Sequence, residues 1–160
     1  MTGVDAALFR QLLGRFATGV TVITTRNPAG EPEGMTASSV ASVSLDPPLL
    51  LVSVDHKNVM DQALAHAPAF IVNVLAADQE ALSRRFAELE SNRFDGVAFH
   101  VGKHGLPVLD GVLAHIECAK HSVVDAGDHA VYIGLVTGGA VTDRRPLLYY
   151  RGGYANLSGS

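Results

Sequence analysis

A chain of 160 residues, 48% of them hydrophobic, can bury one sizeable core, which excludes general disorder. The formal net charge of −4, without a basic stripe or a block of like charges, argues against partners such as nucleic acid or an anionic membrane surface. The single cysteine, Cys118, excludes an intrachain disulfide framework and fits a reducing cytoplasm. We expect one domain over residues 1–157, with residues 158–160 as a tail or a cloning scar.

The first sixteen residues predict an amphipathic helix rather than a signal peptide. Apolar residues at positions 8, 9, 12, 13 and 16 follow helical spacing, and Asp5 is placed to cap the helix. The segment lacks a basic region ahead of a long apolar stretch, so we expect no secretory leader. The longest apolar run, near "PPLLLVSV", is shorter than the ~20 residues that a membrane helix needs.

Further along the chain, predicted strands outnumber predicted helices. Proline and glycine mark a turn over residues 27–34, and "DPP" at residues 46–48 ends a strand. Because adjacent strands are often joined by turns, the pattern favours an antiparallel barrel with a few peripheral helices over a doubly wound α/β fold. The predicted strands cover residues 19–25, 34–45, 49–54, 69–75, 96–101, 113–124, 129–141 and 146–154, and the predicted helices cover residues 56–67 and 77–90.

Several common catalytic motifs are missing from the sequence. It contains no GxGxxG after the first strand and no GxxxxGK[ST], GxSxG, HExxH or CxxC. The stretch "HIECAKH" gathers His115, Cys118 and His121, but alternation along a strand turns the cysteine away from the two histidines. We therefore expect a strand with a buried cysteine here, and no metal site.

The stretch "GMTASSVASVSLDPP", residues 34–48, is unusually rich in hydroxyls and small side chains. Hydroxyls and backbone N–H groups suit a phosphate or the polar edge of a flat heterocycle, and small residues let a planar ring lie close. The same composition also fits a strand of small residues packed beneath a helix. From the residues alone, both interpretations stay open for the hydroxyls of Thr36, Ser38, Ser39 and Ser42.

Two charged stretches can likewise be interpreted either as ligand contacts or as ordinary parts of the fold. In "SVDHKNV", residues 53–59, a helix start beside Lys57 and Asn58 suits an anion, but an ordinary N-cap explains the pattern equally. In "RRF", residues 84–86, the arginines and the aromatic ring can hold a pyrophosphate and stack a base. The simpler interpretation is a solvated helix face with Phe86 in the core.

Among the histidines, His129 stands out because it directly follows a Gly-Asp turn at the start of a predicted strand. A residue there lies at a barrel rim, where a ligand can meet it, although a rim histidine taken alone is more often solvated. We interpret His100 and His104, in a glycine-containing loop without an obvious carboxylate partner, as surface residues.

Taken in order, six segments resemble the flavin reductase-like family. They are "RFATGVTVITT", "GMTASSVASVSLDPPLLLVSV", "FIVNVL", "RRFA", "GDHAVYIGLV" and "PLLYYRGGY". Within that family, the sequence is similar to the short-chain NAD(P)H:flavin oxidoreductases that act as reductase components of two-component flavin-dependent monooxygenases. The resemblance runs from about Phe9 to Tyr154, and its specificity lies in the order and spacing of the segments.

The resemblance implies a split β-barrel of the FMN-binding type, usually a homodimer, that binds FMN or FAD and takes hydride from NADH or NADPH. It also implies that reduced flavin leaves for a separate oxygenase component. The protein would stack the two rings and place backbone N–H groups of residues 36–39 where negative charge develops on the reduced ring. No strong general base is required.

The resemblance also implies positions for the binding residues. Thr36, Ala37, Ser38 and Ser39 would line the flavin ring and its ribityl phosphate, and His129 would lie beside the ring where the nicotinamide lands. "HKNVM" stands where many members carry a Ser/Thr/Arg-rich phosphate segment, so Lys57 is the candidate for the missing cation. The other implied flavin contacts are Gly34, Met35, Ser53, Val54, Asp55, Asn58, Arg85, Phe86, Arg151 and Tyr154.

Two other functions fit the same residues. One is a split-barrel protein that holds or senses a flavin without turnover. The other is a related FMN-dependent oxidase of a pyridoxal-type vitamer, which needs a basic cluster for the substrate phosphate. The sequence also leaves open whether the protein prefers FMN or FAD. The preference for NADH or NADPH is open as well, because Arg144, Arg145 and Arg151 are each candidates to bind the 2′-phosphate of NADPH.

Overall fold

The computed structural model describes residues 1–88 and 90–158. These residues form a mainly β fold with three helices, α1 (Ala6–Leu13), α2 (Val59–His66) and α3 (Glu80–Glu88), as the sequence predicts. The strands are β1 (Thr18–Gly19), β2 (Thr21–Arg26), β3 (Pro32–Ala37), β4 (Val40–Leu45), β5 (Pro48–Asp55), β6 (Ala69–Val74), β7 (Phe99–Val101), β8 (Pro107–Leu109), β9 (Ala114–Ala126), β10 (His129–Val141), β11 (Leu147–Tyr150) and β12 (Gly153–Asn156).

All strand pairs in the described residues are antiparallel. The largest sheet has seven strands in the order β3-β2-β6-β9-β10-β5-β4. A three-stranded sheet, β1-β11-β12, and the hairpin β7-β8 complete the fold. Within residues 1–88 and 90–158, no helix is long and apolar enough to cross a membrane.

The seven-stranded sheet must curl, because its two edge strands follow each other along the chain. β3 ends at Ala37 and β4 begins at Val40, on opposite edges of the sheet. Three Cα–Cα steps span at most about 11 Å, whereas seven flat strands would hold their edges roughly 29 Å apart. Among the described residues no ladder joins β3 to β4, so the curled sheet stays open at this corner.

The inner face of the curl holds the larger hydrophobic core. Ile23, Val52, Phe70 and Tyr132 come from four different strands and are almost fully buried there. Helix α2 adds Met60 and Leu64 to the same cluster. The β-branched and aromatic residues in these strands suit a pleated, buried surface.

A second cluster covers part of the outer face of the sheet. It joins Val22 of β2 to Phe86 of α3 and Leu147 of β11. Buried polar groups fasten the β7–β8 hairpin nearby: Asn73 Oδ1 accepts from Leu109 N at 2.9 Å, and Thr24 Oγ1 donates to Pro107 O at 2.6 Å. Since these polar groups have partners, burying them is not costly.

Several predicted boundaries need correction. The predicted strand 34–45 is two strands, β3 and β4, broken at Ser38 and Ser39, where the chain crosses between the edges of the sheet. The predicted strand 146–154 is the β11–β12 hairpin, because Arg151 and Gly152 form a turn with φ of 52° and 79°. Strand β8 lies between the predicted strands 96–101 and 113–124, where the sequence predicts no strand.

The predicted helices are all present but shorter than expected. Asp5 caps α1 as expected, accepting a hydrogen bond from Leu8 N at 2.8 Å. The helix expected over 77–90 is found at Glu80–Glu88, and Leu89 lies outside the described residues. Residues 159 and 160 of the expected tail also lie outside them.

Candidate functional site

Two adjoining cavities open at the β3–β4 corner. The larger, about 680 Å³, lies between the corner, α1, β5 and the β11–β12 turn. The smaller, about 230 Å³, lies between β3, α3 and the β11–β12 hairpin. Ser38 and Tyr149 line both cavities, so we treat them as one groove with two parts.

The hydroxyls of Thr36, Ser38 and Ser39 at the corner differ in their hydrogen bonds. Thr36 Oγ1 donates to Ser83 O at 2.6 Å, which holds β3 against α3. Ser39 Oγ donates to Ser53 O at 2.9 Å, which holds the corner against β5. The Ser38 hydroxyl is exposed and has no hydrogen bond to the described residues, so among these three it is the one left for a ligand.

Apolar side chains of α1, together with Phe16 just after the helix, form one wall of the larger cavity. Phe9, Leu13 and Phe16 line it and are 55%, 52% and 74% exposed, and α1 buries none of its residues. Arg151 N donates to Gly14 O at 3.0 Å, which ties the end of α1 to the β11–β12 turn on the opposite side. The helical spacing of apolar residues in the sequence predicts the helix that forms this wall, but not that the helix belongs to the site.

Thr18 is a second lining residue that the sequence analysis missed. Its Oγ1 is the one buried side-chain polar atom in residues 1–88 and 90–158 that has no hydrogen-bond partner. Thr18 lines the larger cavity. A buried hydroxyl without a partner is uncommon in native proteins and calls for an explanation, such as a ligand in the neighbouring space.

The outer face of β5 and β10 continues from the larger cavity to His129. Ser53 lies opposite Val131 and Asp55 lies opposite His129, and directly opposite residues project on the same face. His129 therefore lies two residues beyond Ser53 on the same face, roughly 7 Å further along the strand. It stands beside the larger cavity and does not line it.

The His129 ring is held from one side. Its Nδ1 lies 2.7 Å from Asp128 Oδ1, and its Nε2 has no hydrogen bond to the described residues. The hydrogen bond with His129 lowers the pKa of Asp128, so this carboxylate stays charged. The arrangement leaves Nε2 available to a molecule lying on the outer face.

At the start of α2, the structure shows ordinary capping. Asn58 Oδ1 accepts from Met60 N at 3.0 Å, and Asp55 Oδ1 accepts from Lys57 N at 2.8 Å. The Lys57 side chain is exposed. Of the three, only Lys57 presents a side chain that is not already used in the local turn, and its role with phosphate stays a prediction.

Four predicted contact residues point their side chains into the protein interior instead of into the groove. Met35, Ala37 and Val54 belong to the inner core, and Phe86 belongs to the outer cluster. The simpler interpretation of Phe86, as a core residue, is therefore confirmed. Any contact that these four residues make with a ligand is through the backbone.

Gly34 and Arg85 also have structural tasks. A Cβ on Gly34 would lie 2.7 Å from Phe86 Cε1, so glycine is needed here for close packing. Arg85 Nε donates to Arg93 O at 2.7 Å, and its Nη2 donates to the carbonyls of Asn92 and Asp95. The guanidinium of Arg85 thus fastens the loop after α3, and its role with a pyrophosphate stays a prediction.

Arg84 lies closer to the groove than Arg85 does. Its guanidinium is 4.9 Å from the ring centroid of Tyr154, which lines the smaller cavity. Tyr154 in turn shares a 2.8 Å hydrogen bond with Ser83 Oγ. Arg84 also pairs with Glu80 at 2.9 Å and Glu88 at 3.5 Å, so its charge is largely balanced on α3.

The remaining predictions concern histidines and the cysteine. No cluster of metal-ligating side chains occurs in the described part of the chain. Cys118 is fully buried, as expected, and desolvation raises the pKa of its thiol to about 12, which keeps it unreactive. His100 does have a carboxylate partner, contrary to our expectation: its Nδ1 lies 2.9 Å from Asp110 Oδ1.

Comparison with known proteins identifies the family. The sequence model of the "Flavin reductase like domain" matches residues 13–158. The chain belongs to this family. It is 42% identical over 156 residues to the FMN reductase (NADH) SmoA of Agrobacterium fabrum, covering 98% of this chain and 88% of the relative.

Two further relatives are informative for this flavin reductase-like domain. The reductase subunit HsaB of a flavin-dependent monooxygenase from Rhodococcus jostii is 40% identical, with 96% of this chain and 79% of the relative covered. The NADH:FAD oxidoreductase SgcE6 of Streptomyces globisporus, solved in complex with NAD and FAD fragments, matches with a TM-score of 0.91 and 39% identity, covering 99% of this chain and 98% of that chain.

We expect Ser38→Val to weaken the binding of FMN and FAD by roughly tenfold, because it removes the unpaired hydroxyl where the two cavities meet and adds bulk there. Quenching of flavin fluorescence on titration measures both affinities. Ser42→Val is the matched control, since Ser42 lies on β4 and lines a different cavity. Equal flavin affinity for Ser38→Val and the unmodified protein would contradict this placement of the site.

Proposed function

We propose that this protein is a flavin reductase that oxidises NADH or NADPH and reduces FMN or FAD. The observation that carries the proposal is the two-part groove at the β3–β4 corner, in a chain that belongs to the flavin reductase-like family. Relatives named FMN reductase (NADH) and NADH:FAD oxidoreductase support both classes of cofactor. We further propose that the reduced flavin supplies a separate oxygenase, as the name of the Rhodococcus relative suggests.

The residues around the groove fit a flavin. Phe9 and Phe16 offer an apolar wall against which a flat ring can lie, and Ser38 offers a hydroxyl for a polar edge. The unpaired Thr18 hydroxyl beside the same cavity is a further candidate donor. A heterocycle with one apolar and one polar side would meet both kinds of surface.

When bound, the flavin and the nicotinamide supply the hydride chemistry themselves. The chain's contribution is to hold two flat rings in contact and to keep water from them. The outer face of β5 and β10 provides the floor for this, and α1 provides the wall. His129, oriented through Asp128, is placed to contact the nicotinamide through Nε2.

The finer description of the fold is a split β-barrel of the FMN-binding type, with residues 1–157 as one domain. The curl of the seven-stranded sheet and the closeness of its edges at the β3–β4 corner support this description. A cytoplasmic location stays a prediction, based on a lone cysteine that is buried and reduced.

The FMN-dependent oxidase of a phosphorylated vitamer has less support. It needs a free basic cluster, but Arg85 binds backbone carbonyls and Arg84 pairs with two glutamates. Of the three basic residues that the sequence offers for this role, Lys57 alone keeps a side chain without such partners among the described residues. The flavin-binding protein without turnover shares all the features of the groove, and only an activity measurement separates it from the reductase.

The homodimer is supported by the apolar side of α1. Leu8 and Leu12 are 43% and 55% exposed and do not line the larger cavity, and no residue of α1 is buried by the described part of the chain. We propose that a second copy covers this surface.

Sedimentation analysis should give twice the mass of the chain. Leu12→Glu should shift the protein towards monomer, because it places a charge on the covered surface. A monomer before substitution would contradict the proposal.

The reductase activity is tested with protein freed of flavin. We expect oxidation of NADH or NADPH in air that saturates with added FMN or FAD, because the groove binds flavin as a reactant. Absorbance at the nicotinamide band follows each of the four pairs. Flavin binding without oxidation by any pair would overturn the reductase and leave the flavin-binding protein.

We expect His129→Ala to raise the KM for the nicotinamide or to lower kcat, by roughly tenfold, because a side chain beside the rings is lost. Steady-state kinetics with saturating flavin measures both. The matched control is His100→Ala, since His100 is also an exposed histidine paired with an aspartate but lies on β7. Unchanged kinetics for His129→Ala would remove His129 from the site.

A further inference from the structure

His56 joins three parts of the fold at the end of β5. Its backbone N–H donates to Asp128 O at 3.1 Å. Its ring Nδ1 lies 3.0 Å from Asp61 Oδ2 on α2, and its Nε2 lies 2.9 Å from Asp125 Oδ1 near the end of β9. One residue thus contacts a helix, a strand end and the turn between β9 and β10.

The two ring contacts together define the protonation state of His56. Both partners are carboxylates, which only accept hydrogen bonds, so the ring makes both bonds only when both of its nitrogens carry hydrogen. The hydrogen bond with Asp61 raises the pKa of His56, which agrees with this geometry. Asp61 stays charged: burial acts to raise its pKa, but hydrogen bonds from Tyr132 and His56 outweigh burial and lower it.

The turn that His56 holds is the one that carries His129. Residues 121–128, which form the end of β9 and the turn, are all exposed, so the β9–β10 ladder holds this tip with little side-chain packing. Asp128, whose carbonyl accepts from His56, also holds the His129 ring through its carboxylate at 2.7 Å. His56 therefore contacts both ends of the turn that precedes His129, Asp125 through its ring and Asp128 through its backbone N–H.

We propose that His56, with both ring nitrogens protonated, is a positioning residue that ties the exposed β9–β10 tip to α2 and so fixes His129 beside the cavity. This inference rests on the proposed role of His129 in the reductase. Loss of one ring proton as the pH rises removes one of the two ring bonds and so breaks the side-chain tie between the tip and α2, while the backbone bond from His56 N to Asp128 O remains. The charged groups around His56 are Asp61, Asp125 and Asp128, with Asp55 and Lys57 adjacent in the chain.

The sign of the pH effect follows from the raised pKa. A histidine whose pKa is higher in the folded protein contributes stability that is full below its unfolded value of about 6.5 and is lost as the pH rises through the folded value. We therefore expect the KM for NADH to rise, by roughly threefold to tenfold, as the pH passes from about 6 to about 9.

Two variants separate charge from shape. His56→Gln keeps a polar side chain but cannot donate to both carboxylates, so it should show the high-pH KM at every pH. His56→Arg keeps a permanent charge with several donors, so it should show a low KM with little pH dependence. His100→Gln, at the other exposed His–Asp pair, should behave as the unmodified enzyme.

Hydrogen exchange of the amides in residues 125–129 tests the tether without any catalysis. His56→Gln should speed this exchange at about pH 6, and His56→Arg should not. Unchanged exchange in His56→Gln overturns the proposal. So does faster exchange in His56→Gln with kinetics equal to those of the unmodified enzyme, when His129→Ala changes either KM for NADH or kcat. If His129→Ala leaves the kinetics unchanged, the proposed role of His129 is wrong, and so is the proposal that His56 positions it. Flavin-dependent NADH oxidation by the unmodified protein would still establish the reductase.

Discussion

The short link between β3 and β4 is the constraint on which the rest of the structure depends. Because two residues connect opposite edges of a seven-stranded sheet, the sheet has to curl, and the curl encloses the inner core. At the link itself the backbone must turn sharply and stay close to its neighbours, which explains the small residues there. The same link leaves Ser38 on the rim, between two cavities. One topological requirement thus produces both the core and the groove.

Much of this architecture is readable in the sequence. Apolar and β-branched runs bounded by turn residues predict β2, β5, β6, β9 and β10 because these signals are local in the sequence, and the Asp5 cap is predicted for the same reason. The break at Ser38 and Ser39 is not, because nothing within the stretch "TASSVAS" shows that its two halves belong to different edges of the sheet. That assignment depends on which distant strands pair with each half.

The roles of individual side chains at the site were harder to predict than the stretch that contains them. Thr36, Ser38 and Ser39 are chemically equivalent in the sequence, yet two of them bond to the carbonyls of Ser83 and Ser53, which are 47 and 14 residues away. Arg85 and Phe86 suit a phosphate and a base by composition, but the loop after α3 and the outer cluster use them instead. Hydrogen-bond partners far along the chain decide such roles, so residue type alone does not.

Because helix α1 is exposed, binding at the groove is coupled to the ordering of this helix. An eight-residue helix has little stability of its own in water, and the described part of the chain leaves the apolar side chains of α1 about half exposed. Whatever covers α1, a ligand on one side or a second copy on the other, also contributes to ordering the wall of the larger cavity. The two events are thermodynamically linked, so each reduces the free-energy cost of the other. The apparent affinity for a bound ring should then rise with protein concentration, without any change in the residues that touch it.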